Sequence, residues 1–126
     1  MKNILFKAQR EISNGFDFFR LSQSYRGLKE YIPYICYRTR FLAISALARC
    51  NEIKCTSFTE AWDYISRYPT LSEKEDMIEF REVHDLYHQI QDTYEIPYSS
   101  LSDNNLYRLL CHTRDWLQKV ENIVKG

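Results

Sequence analysis

Glycine and proline are scarce, at three residues each in a chain of 126. Sheet-rich domains need frequent tight turns built from these residues, so their scarcity favours a few long helices with few connections. Charge of one sign is also missing: Lys+Arg and Asp+Glu both number 17, for a formal net charge of zero. That balance excludes a generally basic nucleic-acid-binding surface and leaves room only for local basic faces. The four cysteines, Cys36, Cys50, Cys55 and Cys111, form no CxxC pair. No metal and no cofactor are therefore expected. The most apolar stretch, Tyr31 to Cys50, carries Arg38 and Arg40 near its centre, which interrupts any membrane-spanning segment. At the N-terminus only Ile4, Leu5 and Phe6 precede Lys7, too few for a signal peptide. The expectation is a cytoplasmic protein with reduced thiols and no membrane partner. Repeats, low-complexity tracts, glycine-rich phosphate loops and nucleophile elbows are likewise missing.

What is present is the material of a single helical domain spanning residues 1–126. Hydrophobic residues make up 44% and charged residues 27%, which suits one packed core and argues against disorder. Ile4, Leu5, Ala8, Ile12, Phe16 and Phe19 recur at helical period and predict a helix over 3–24, with Gly15 inside it. Gly27 marks a break. A second helix is expected from about Leu28 to Asn51, with Pro33 in its first turns and Ile35, Leu42, Ala43, Ala46 and Leu47 as its stripe. Ser57-Phe58-Thr59-Glu60 reads as a capping box opening a short helix through Arg67, and Pro69 follows it. Ser72-Glu73-Lys74-Glu75 reads as a second box, opening a helix to about Tyr94. That helix carries Phe80, Val83, Leu86, Tyr87, Ile90 and Tyr94 on one face. Pro97 and the serines after it predict a loop, and a last helix spans about 103–124. Its stripe is Leu106, Leu109, Leu110, Trp116, Leu117, Val120 and Ile123, with Gly126 beyond. The fold class this predicts is all-α, an antiparallel four-helix-type bundle with one short extra helix.

The chemically specific feature lies in the third long helix. Arg81, His84 and His88 are spaced so that on a helix they fall within an arc of roughly 60°, well round from the centre of the apolar face. A guanidinium and two imidazoles on one stripe can hold a phosphate and move protons near neutral pH. Asp85 and Tyr87 are neighbours able to orient an imidazole or donate to phosphate.

An arginine followed by a polar residue and then a histidine, in the third long helix of a small bundle, resembles the HEPN superfamily. The matching residues are Arg81-Glu82-Val83-His84-Asp85-Leu86-Tyr87-His88, with Glu82 in the polar slot. The order of elements is also similar: two long helices, a short one, the motif helix, a loop and a final helix. The resemblance implies a homodimer that pairs its arginines and histidines across a cleft. It also implies a metal-independent endoribonuclease of toxin–antitoxin or defence type, or a protein partner such as a nucleotidyltransferase or an antitoxin. In such an enzyme His88 takes the proton of a ribose 2′-hydroxyl and Arg81 stabilises charge on the phosphorane. The proton donor is either His84 or the second copy's histidine.

Three further constellations compete. Residues 25–41 interleave bases and rings, and Tyr34, Tyr37, Arg38 and Arg40 are the candidates there for stacking on and neutralising single-stranded RNA or a nucleotide. In the competing reading, the tyrosines pack the bundle while the bases face water. His84 and His88, at i and i+4, have the spacing of two metal ligands that Cys50 and Cys55 would complete, but the cysteine spacing is poor for zinc. Arg108 and His112 repeat the Arg/His pairing on the last helix, among leucines that read as core. The function reading from a different class is a non-catalytic helical module whose tyrosines and apolar stripes serve a protein partner.

Overall fold

The computed structural model describes residues 2–93 and 101–125, and within them the chain is an all-α bundle. Its helices are α1 (Lys2–Leu21), α2 (Tyr31–Cys50), α3 (Phe58–Ile65), α4 (Lys74–Thr93) and α5 (Asp103–Lys125). A 3-10 turn over Arg26–Glu30 leads into α2. No helix among the described residues is long and apolar enough to cross a membrane. Tyr94, Pro97 and the serine-containing loop before Leu101 lie outside the described residues, as does Gly126.

α2 is the central element and packs against α1, α3, α4 and α5. Its sequence explains why. Ile32, Ile35, Cys36, Ala43, Ile44, Ala46, Leu47 and Ala48 are all buried, so apolar residues occupy more than one stripe. A helix that is apolar on several sides belongs in the middle of a bundle. The alanines keep its surface thin, so neighbours approach closely. Gly15 does the same for α1: a Cβ there would lie 2.8 Å from Leu110 Cδ2 and 2.9 Å from Ile35 Cγ2. The glycine inside the first helix therefore lets side chains of α2 and α5 lie close against α1.

The helix ends follow local chemistry. Pro33 occupies the first turn of α2, where its missing N–H costs nothing. Ser57 caps α3, its Oγ accepting from the Glu60 backbone N–H at 3.1 Å. The reciprocal arm differs from a standard capping box, because the Glu60 carboxylate accepts from the hydroxyls of Thr56 (2.8 Å) and Ser57 (3.3 Å). The second expected box does not form. Ser72 Oγ donates back to the Tyr68 carbonyl at 2.8 Å, and the first helical carbonyl of α4 is that of Glu73. Ser102 takes the equivalent role for α5, accepting from Asn105 N–H at 3.2 Å.

α4 and α5 flank α2 and are joined by polar contacts. Glu79, only 7% exposed, receives Arg40 of α2 on Oε2 (3.4 Å) and both Arg108 (3.1 Å) and His112 (2.5 Å) of α5 on Oε1. Arg108 also reaches Glu82 at 3.0 Å. Trp116 Nε1–H donates to the Leu71 carbonyl at 3.0 Å, which ties the connection before α4 to α5.

Candidate nucleic-acid interface on α2, α3 and α4

The stripe read from the sequence is divided by α3. Arg81 lies with its guanidinium 4.8 Å from the Trp62 ring centroid, and His84 stacks on Phe58 with centroids 3.9 Å apart and planes at 20°. Trp62 and Phe58 are one helical turn apart on α3, as Arg81 and His84 nearly are on α4. The short helix thus runs antiparallel along the stripe and covers its first part. His88, a further turn along, contacts His84 (4.4 Å between centroids) and Tyr87 (5.3 Å) and is exposed. His84 keeps 21% of its side chain accessible, and its Nδ1 lies 3.0 Å from Asp85 Oδ1.

Two of the four residues expected to stack on or neutralise RNA meet this stripe. Tyr34 and Tyr37 both pack on Tyr87, at 4.7 and 5.6 Å between centroids. Tyr37 also touches His84 edge-on at 5.5 Å and stacks near Phe80 and Phe58. Burial, and then the neighbouring Tyr87 hydroxyl, raise the Tyr37 phenol above its ordinary pKa, so it remains neutral. Tyr34 is further out. Its hydroxyl accepts from Arg38 Nη1 at 3.3 Å, and Arg38 Nε lies 3.5 Å from Glu11. Arg38 is exposed but already has an acidic partner.

Arg40 is not on this surface. It is 1% exposed, held between Glu79 and Thr113 (3.3 Å) with its guanidinium 5.1 Å from the Trp116 ring. A residue so enclosed cannot neutralise a phosphate, so the expectation for Arg40 is corrected to a buried ion-pair partner. Desolvation lowers its pKa, and the facing Glu79 carboxylate opposes that effect. Nothing in the residues near Arg40 separates it from Arg38 except helical phase: it follows Cys36 at i+4 and precedes Ala43 at i+3, both core positions.

The sequence reading missed Phe58 and Trp62 as partners of the stripe. Their i, i+4 spacing in a short helix was the available signal, but which face of α4 they would cover is a tertiary question. It also placed Arg108 and His112 among core leucines, whereas both are part-exposed and converge on Glu79. Among the described residues, no group of three or more His, Cys, Asp or Glu is placed to hold a metal ion. The Cys50, Cys55, His84 and His88 set is not assembled. Cys55 is buried and Cys50 exposed.

Chemically, the interface offers flat aromatic rings, one exposed imidazole next to a held imidazole, and two exposed guanidinium groups at its edges. Compared with known protein families, with characterised proteins and with solved structures, the chain matches none.

Proposed function

We propose that this chain is an RNA-acting protein of HEPN type that binds single-stranded RNA on the ring-lined face of α2 and α4 and cleaves it without a metal. The observation that carries the reading is the pairing of His84 and His88, with ring centroids 4.4 Å apart, beside Tyr34, Tyr37 and Tyr87. Two imidazoles side by side supply a proton acceptor and a proton donor. Tyrosine rings provide stacking surface for unpaired bases. In this reading His88 accepts the 2′-hydroxyl proton, Arg81 swings from Trp62 to the developing phosphorane charge, and His84 supplies a proton to the leaving oxygen. A second copy brings another Arg81 and His88 to the same cleft, and an antitoxin or nucleotidyltransferase partner controls access to it.

The test is fluorescence-anisotropy binding of labelled single-stranded RNA to wild type, Tyr34→Ala and Tyr87→Ala. Each ring removed weakens binding by an amount corresponding to roughly 1–3 kcal/mol of stacking. Duplex RNA binds more weakly, because its bases are already stacked. Binding that ignores both substitutions contradicts the proposal.

One observation favours a second reading. Ile78, 54% exposed on α4, precedes Arg81 by one turn, and Arg81 is already occupied by Trp62. An apolar residue next to a cation–π pair suits a protein partner as well as a nucleic acid. The non-catalytic interaction module is the reading left if RNA binding is absent.

A further inference from the structure

We propose that Asp85 is a positioning residue that fixes the tautomer of His84 and so makes His84 the general acid of the cleavage. This role rests on the RNA-cleavage reading above and deepens it. Asp85 Oδ1 sits 3.0 Å from His84 Nδ1. An ionised carboxylate can only accept, so Nδ1 carries a hydrogen and donates it to Asp85. The ring is held in that orientation on two further sides, flat against Phe58 at 3.9 Å and edge-on to Tyr37 at 5.5 Å. The ring contacts fix the plane, and turning the ring over within it to exchange its nitrogens would break the Asp85 contact. Nε2 is therefore the nitrogen that exchanges protons with a ligand. The groups around this imidazole are Asp85 and His88 from α4, Tyr37 from α2 and Phe58 from α3.

His88 differs in kind: it is exposed, and among the described residues it meets the rings of His84 and Tyr87. An accessible imidazole suits the base, which must reach a ribose hydroxyl. A held imidazole suits the acid, whose proton must point at one leaving oxygen. The step then balances. His88 takes the 2′-hydroxyl proton, and the freed oxygen pair forms a bond to phosphorus. The bond from phosphorus to O5′ breaks, and O5′ takes the Nε2 proton of His84, which enters the step as the imidazolium with hydrogens on both nitrogens. The products are a 2′,3′-cyclic phosphate and a 5′-hydroxyl. His84 is left neutral with Nδ1–H on Asp85, His88 is left protonated, and exchange with water resets both.

The experiment combines a spectroscopic readout with kinetics on the full chain. Long-range nitrogen–proton correlation spectra, recorded at mildly alkaline pH, report which ring nitrogen carries the hydrogen of His84. Wild type shows His84 as the Nδ1–H tautomer, Asp85→Ala shifts it towards the Nε2–H form that free imidazoles prefer, and Asp85→Asn, which keeps an acceptor oxygen, restores it in part. With single-stranded RNA, Asp85→Ala lowers kcat roughly two- to fivefold, the range an exposed ion pair supports, with KM unchanged. His84→Ala lowers it much further, by ~10²-fold or more. An Nε2–H tautomer in wild type overturns the proposal outright. So does an unchanged kcat in Asp85→Ala, even where the tautomer shifts. Absence of cleavage by wild type removes the catalytic reading itself, and with it any catalytic role for Asp85. The tautomer measurement, which needs no RNA, separates that failure from a wrong assignment of Asp85.

Discussion

The imidazole of His84 lies flat on Phe58, with ring centroids 3.9 Å apart and planes inclined by 20°. This contact fastens α3 to α4 and holds a titratable ring in a defined orientation. Phe58 also touches Trp62 (5.6 Å), Phe80 (4.8 Å) and Tyr37 (6.5 Å), so it joins rings of α2, α3 and α4. Phe58→Ala is expected to destabilise the fold by about 2–3 kcal/mol. That is below the range for a fully buried phenylalanine, because this one is half-buried. Phe58→Leu should recover most of the loss but not the stacking. A shift in the denaturant midpoint checks the energy, and the His84 ring resonances report whether the imidazole is released. Wild-type stability in Phe58→Ala would contradict a fastening role.

The buried Arg40–Glu79 pair sets up an ordering of variants. Removing Arg40 leaves Glu79 with Arg108 and His112 still on Oε1, whereas removing Glu79 leaves a 1%-exposed guanidinium with the Thr113 hydroxyl and the Trp116 ring but no paired carboxylate. Glu79→Met should therefore cost about 4–5 kcal/mol and Arg40→Met about 3 kcal/mol. The double variant should lose much less than the sum, since neither charge is then stranded. Urea denaturation of the three variants checks the order; equal losses that add would contradict it.

Alkaline pH should weaken the fold through two neutral acids. Burial pushes the Cys36 thiol from 9.0 up to about 12. Burial, then the hydrogen bond with Tyr68, pushes the Tyr64 phenol from 10.0 to about 12. In both cases the folded value lies above the unfolded one, so the native state holds its proton more tightly. Their contribution is complete below pH about 9 and is lost between about 9 and 12, where the unfolded chain ionises first. Urea midpoints measured from pH 8 upward should fall progressively, and Cys36→Ala should remove the part that begins near 9. The same burial predicts that a thiol reagent modifies exposed Cys50 in the native protein and reaches Cys36 only on unfolding.

Gly15 separates two opposing effects. Alanine there gains about 1 kcal/mol of helix propensity, but its Cβ meets the β-branched Ile35 and the buried Leu110 at under 3 Å. Overpacking of this kind costs about 1–3 kcal/mol, so Gly15→Ala should be neutral to destabilising. At Gly27 a Cβ would have nothing within 4 Å, so alanine should be accepted freely. Thermal denaturation of the two variants gives the contrast directly; a stabilised Gly15→Ala would show that α1 is not held close.

The helices are legible in the sequence because periodicity, capping residues and the scarcity of glycine and proline all agree on them. The apolar stripe of α5 is plain from Leu106 to Val120, and so is Ser57 as a cap. The short turn before α2 is not legible, since Arg26–Glu30 differs from the helix that follows only in hydrogen-bond pattern. Ser72 misleads because its hydroxyl donates to the Tyr68 carbonyl rather than accepting from an N–H of the first turn of α4. At the interface, the spacing of Arg81, His84 and His88 is sufficient to place them on one stripe. Their separate surroundings depend on α3 lying along α4, which no local pattern encodes. Arg40 shows the same limit: the bases and rings beside it suggest a basic face, its phase with Cys36 and Ala43 turns it to the core, and the carboxylate that pairs with it there, Glu79, comes from another helix.

The proposed cleavage of RNA rests on the His84–His88 pair acting with Arg81. The most direct measurement is cleavage of single-stranded RNA in the presence of EDTA, with the product ends identified, for wild type and His88→Ala, both verified as folded by circular dichroism. The expected result is EDTA-resistant cleavage by wild type leaving 2′,3′-cyclic phosphate ends, and a loss of ~10²–10⁴-fold in rate when His88 is removed. An unchanged rate in His88→Ala, or no cleavage of any RNA by wild type, would contradict it.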